Sequence, residues 1–111
     1  AIKANLIPAE LTPMQISYTY ASEADMLNVV LFGKTAKQWR DANPDGTGNI
    51  RDHATIYQLL VLTNMESYNA ILIQQGKSQA ERMKLLHELA VQQMTTMSSL
   101  ELNHLPGIEV K

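Results

Sequence analysis

The chain has 111 residues, 45% hydrophobic and 18% charged, with a formal net charge of −2. That length fits one domain around one modest core, and the balance excludes a disordered chain. Nine Lys and Arg stand scattered among eleven Asp and Glu, a poor basis for the clustered positive surface that neutralises nucleic-acid phosphates. The absence of Cys removes disulfides, a Cys nucleophile and thiolate metal sites. His53, His87 and His104 are too far apart for a zinc motif. No apolar run approaches the roughly 18 residues a membrane span needs, and no signal peptide opens the chain, so the expected compartment is the cytoplasm. The start, Ala1-Ile2-Lys3, is that expected of a piece excised from a longer protein.

Residues 1–13 read as an opening segment, interrupted by Pro8 and Pro13 and anchored by Leu6, Ile7 and Leu11. Thr12-Pro13 is a helix start, with Thr as N-cap and Pro at the first helical position. Ile16, Tyr18 and Tyr20 alternate like a short strand, but no second strand exists to pair with them, so helix or irregular structure is expected.

Ser22-x-x-Asp25 opens a helix through Met26, Leu27, Val30 and Leu31. Gly33 closes it, because glycine tolerates the left-handed conformation of a helix stop. Thr35-x-x-Gln38 is a capping box for a short second helix, which must stop before Pro44. A third helix, expected to be the longest and central, starts between Asp52 and Thr55 with the capping box Thr55-x-x-Gln58. Its periodic positions are Ile56, Leu59, Leu60, Thr63, Ala70 and Ile73, widened by Val61, Leu62, Met65, Tyr68 and Leu72. A charge at Leu60 is therefore expected to unfold the domain. Gly76 stops that helix. Ser78-x-x-Glu81 opens a last one through Met83, Leu86, Ala90, Met94 and Met97, with Leu85 and Leu89 as a second stripe. Residues 98–111, with Pro106 and Gly107, read as a loosely packed tail. The fold class is all-α: an orthogonal bundle of four to five helices over 14–97 with a long central helix and no significant sheet.

Three stretches, ASEADMLNVVLFGKTAKQWRDANP, GNIRDHATIYQLLVLTNMESYNA and SQAERMKLLHELAVQQM, resemble the region that follows the KilA-N domain in many bacterial and phage proteins. The resemblance spans about residues 5–97. It implies a helical accessory domain C-terminal to a DNA-binding KilA-N domain that this chain does not contain. It supplies no catalytic residues.

Residues 41–52, DANPDGTGNIRD, admit two readings. In a calcium loop, Asp41, Asn43, Asp45, Asn49 and Asp52 fill positions 1, 3, 5, 9 and 12, and Gly46 supplies the sharp turn. Gly48 where an apolar residue belongs, Pro44 inside the loop and the short Asp52 all depart from that motif. The other reading is backbone turn chemistry, for which Pro, Gly, Asn and Asp are the usual residues.

Trp39 reads as a core anchor rather than a ligand wall. Arg40-Asp41 and Arg51-Asp52 read as ion pairs pinning the loop. A weaker alternative makes Lys34, Lys37, Arg40 and Arg51 a nucleic-acid contact. Asn64 and Asn69, among apolar neighbours, fit either a buried register-fixing role or solvent exposure. Met83, Met94 and Met97 fit a core stripe, or else a dimer contact. Glu23, Asp25, Glu81 and Glu88 read as solvated helix faces. With no nucleophile–base pair or metal-ligand cluster, no enzyme is expected. The leading expectation is a protein-contact or self-association domain.

Overall fold

The computed structural model describes residues 7–46 and 48–103. Leu6 and the start of the opening segment, and His104, Pro106 and Gly107 in the tail, lie outside them. All regular structure among the described residues is helical: α1 (Pro13–Ser17), α2 (Glu23–Phe32), α3 (Ala36–Ala42), a 3-10 turn (Ile50–His53), α4 (Ile56–Gln74) and α5 (Gln79–Asn103). The all-α expectation holds.

Local side-chain chemistry sets most boundaries. Thr12, Thr35 and Thr55 each accept the backbone N–H three residues on, while Gln15, Gln38 and Gln58 return the bond to the cap's own N–H. Ser22 accepts from Asp25 N–H. Ser78 and Glu81 exchange backbone bonds of 3.0 and 3.2 Å, and the Ser78 backbone N–H heads the causes that hold the Glu81 carboxyl below its ordinary range. Gly33 ends α2 at φ 83°, and Gly76 turns the chain after α4 at φ 79°.

α4 and α5 form an antiparallel hairpin, with Asn69 bonded to Arg82 near the turn and Asn64 to Gln93 further along. α2 packs against both. Its six consecutive residues Met26, Leu27, Asn28, Val29, Val30 and Leu31 are all buried. Six residues exceed one and a half helical turns, so this stretch of α2 is enclosed on every side, while Glu23 and Ala24 at its start reach solvent. The rest of the core comes from Val61, Leu62, Met65 and Leu72 of α4 and Met83, Leu86, Ala90 and Met94 of α5. The methionine stripe is core, with Met97 packed at its edge.

Three expectations are corrected. α2, not the third helix, is the enclosed one. The longest helix is α5, with 25 residues against 19 in α4, because helical structure runs through 98–103 where a tail was expected. The buried face of α4 is not the predicted stripe: Ile56, Leu60 and Ile73 are 62%, 48% and 47% exposed. Both faces of α4 are apolar, so periodicity alone offered two answers, and packing against α2 and α5 took the face bearing Val61, Leu62, Met65 and Leu72. The strand-like alternation before α2 resolves into α1, an exposed Tyr18 and a buried Tyr20.

Candidate functional site

The loop 41–52 is built mainly from side-chain-to-backbone bonds. Asn43 Nδ2 donates to the Trp39 carbonyl at 2.8 Å, bracing the end of α3. Asn49 Oδ1 accepts from the backbone N–H groups of Arg51 and Asp52, while Asp52 Oδ2 accepts from Asn49 N–H at 2.9 Å. This reciprocal pair is a capping box that starts the 3-10 turn, a role the sequence reading did not assign. Gly48, at φ 81°, lies so close that an added Cβ would strike the Asp52 carboxylate. Asp41 receives Lys37 Nζ at 2.9 Å across one exposed turn of α3. Asp45 stays exposed. Among the described residues, no group of three or more acidic, His or Cys side chains is placed to hold a metal ion; Asp41, Asp45 and Asp52 are not brought together.

The expected Arg–Asp network is replaced by different partners. Asp41 takes Lys37, and Arg51 reaches across to Glu66 at 3.9 Å. Of the four basic candidates, Lys37 and Arg40 are exposed and Lys34 is half-buried beside Trp39. Trp39 itself is half-buried, not a core anchor. Its ring stacks at a tilt on His53, centroids 5.0 Å apart, and the pair edges a shallow cleft of about 270 Å³ with Phe32, Ile50 and Gln58. α3 buries none of its residues, because its contacts run mainly to the 3-10 turn. A second cleft of about 540 Å³ lies between α1, α2 and α3, walled in part by Met14, Tyr18, Tyr20, Asp25 and Lys37.

A polar cluster ties α2, α4 and α5 together where the sequence suggested solvated charge. Arg82, only 8% exposed, donates through Nη2 to both oxygens of Glu23 at 3.1 and 2.9 Å, through Nε to Asn69 Oδ1 at 2.9 Å and through Nη1 to the Lys77 carbonyl at 2.7 Å. Asn69 Nδ2 closes the ring by donating to Glu23. Gln79 bonds both the N–H and the carbonyl of Tyr20, pinning the chain before α2 to the start of α5. Partial burial pushes the Glu23 carboxyl up. The bonds from Asn69 and Arg82, the Arg82 charge and the Gln79 bond outweigh that effect and hold it below its ordinary range. All three guanidinium nitrogens of Arg82 bond within the protein, so the cluster reads as a clamp, not a ligand cradle. Asn69 takes the buried, register-fixing role; Asn64 is exposed yet bonded to Gln93.

The outward face of α4 has a different chemistry. Ile56, Leu60, Ile71 and Ile73 are 47–62% exposed, separated by the exposed small residues Thr63, Ser67 and Ala70. Glu66 is the only charged residue of this helix. Among the described residues, no helix is long and apolar enough to cross a membrane. Among the described residues the fold is an all-α bundle, and the outward side of α4 mixes exposed Ile56, Leu60 and Ile71 with exposed Thr63, Asn64 and Ser67. No family model, curated protein or solved structure matches the chain.

Proposed function

We propose that this chain is a non-catalytic helical domain for self-association, acting as the accessory domain of a KilA-N-type DNA-binding protein. The observation that carries the reading is the outward face of α4. A surface helix ordinarily shows water a charged side, yet α4 shows it Ile56, Leu60, Ile71 and Ile73 with Glu66 as the lone charge. Ile56, Leu60 and Ile71 lie within about 60° of one another around the helix axis, and exposed apolar side chains gathered on one side of a helix favour an interaction site. The local resemblance to the region after KilA-N supports the accessory role, in which pairing of this domain would bring two DNA-binding halves together. DNA contact is then assigned to the absent KilA-N domain. Lys37 and Arg51, each facing a carboxylate, offer a phosphate backbone little.

Light scattering on the purified chain tests this reading. The expected result is a mass near twice the 12.4 kDa of one chain at micromolar concentration. A mass of one chain at every concentration overturns it.

A further inference from the structure

We infer that the cleft between α1, α2 and α3 takes the arginine side chain of a partner protein, paired with Asp25 and stacked on Tyr18. The site is separate from the self-association reading, because among the described residues none of α4 lines the cleft.

The sign of the charge follows from a broken pattern. At the other described helix starts, the side chain three residues after the cap turns back onto the cap's own backbone N–H. Gln15, Gln38, Asp52, Gln58 and Glu81 all do so. Asp25 does not. Ser22 Oγ accepts its backbone N–H at 3.0 Å, yet the Asp25 carboxylate returns no bond. Among the described residues that carboxylate has no hydrogen-bond or ion-pair partner. It is half-buried and lines the cleft. A partly desolvated charge without a partner is costly, and a cation entering the cleft relieves that cost. Lys37 lines the same cleft, but its ammonium is held by Asp41 at 2.9 Å.

The walls select the kind of cation. The cleft holds about 540 Å³, within the usual size of a small-ligand site. One carboxylate cannot replace the six or more oxygens that a bare calcium ion takes. Tyr20 is buried, and its hydroxyl donates to the Gln15 carbonyl at 3.0 Å. Tyr18 meets that fixed ring edge-on, centroids 4.8 Å apart, and stays 62% exposed beside Met14 at 79%. An aromatic face attracts a cation set over it, and the Met14 side chain offers apolar surface to an alkyl stem. A guanidinium is planar, so it can lie on a ring while two N–H groups in its own plane meet a carboxylate. An ammonium brings only a compact point charge.

The test titrates the isotope-labelled chain with N-acetyl-Gly-Arg-Gly-amide and follows the backbone amides by NMR. The expected result is saturable shifts concentrated at residues 12–38, which hold the cleft walls. Asp25→Asn and Tyr18→Ala, checked for wild-type helicity, should each weaken binding several-fold. The peptide with citrulline, the uncharged isostere, should leave the amides unmoved. Methylguanidine, which has neither stem nor peptide, should bind several-fold more weakly than the peptide. Absence of saturable shifts, or an equal response to the citrulline peptide, overturns the inference. So does binding that Asp25→Asn leaves undiminished. A glutamate peptide that shifts the same residues would assign the cleft to anions through Lys37 and overturns it too. Methylguanidine binding as tightly as the peptide would make a free guanidinium the occupant and overturn the assignment to a partner protein.

Discussion

Glu23 and Arg82 stand 59 residues apart in sequence, yet one guanidinium nitrogen of Arg82 spans both oxygens of Glu23 at 3.1 and 2.9 Å. Through Asn69, which touches both, this contact fixes α2 against the α4–α5 hairpin. Removing one member of a buried pair leaves the other desolvated and uncompensated, which costs about 3–5 kcal/mol when both are fully buried. Glu23 keeps 44% of its side chain exposed, so Arg82→Met should cost about 2 kcal/mol, less than the fully buried case. Urea unfolding measures it; a change under about 0.5 kcal/mol, the range of an ordinary surface substitution, would deny the clamp its role.

Acid should loosen the same contact. The Glu23 carboxyl is held below its unfolded value near 4.5, so its stabilising contribution is complete above that value. It is lost as pH falls through the lower folded value. The melting temperature of the wild type should therefore drop below about pH 4.5. Glu23→Gln should start lower at neutral pH and show a shallower acid decline. Parallel acid limbs for the two proteins would show that other carboxylates govern the transition.

Placement of the core predicts a contrast within α4. Met65 is 0% exposed and sits in the central cluster, so Met65→Ala should cost about 2–5 kcal/mol, the range for emptying a packed site. Leu60 is 48% exposed, so Leu60→Glu should leave the monomer folded, by circular dichroism and urea midpoint. A Leu60→Glu variant that unfolds would restore the reading in which that residue belongs to the core.

In the loop 41–52, Asn49 and Asp52 already cap each other. Asn49→Ala should cost about 1 kcal/mol, the usual worth of such a cap. Calcium should leave the melting temperature of the wild type unchanged, whereas a ligand at 100 times its dissociation constant adds about 2.7 kcal/mol. A rise with calcium that chelator reverses would return these side chains to the role of ligands.

What the sequence revealed was mostly local. The Thr12 N-cap, the Thr35 and Thr55 capping boxes, the Gly33 stop and the Ser78–Glu81 start each depend on residues within one turn, and each is formed as read. The same locality left two readings open at Asn49-x-x-Asp52, because a cap and a calcium loop draw on the same oxygen-bearing residues. Arg82 gave no signal, because its partners lie 13 and 59 positions away and only the fold brings them near. The outward face of α4 was visible as a stripe but assigned to the inside. With apolar residues all round the helix, only the packing of α2 against it could show which side stays bare.

The most direct test of the account is sedimentation of the wild type and Leu60→Glu side by side over a hundredfold range of concentration. The wild type should move toward the two-chain mass as concentration rises, and a folded Leu60→Glu should hold at 12.4 kDa. Identical behaviour of the two proteins, whether both monomeric or both dimeric, would contradict it.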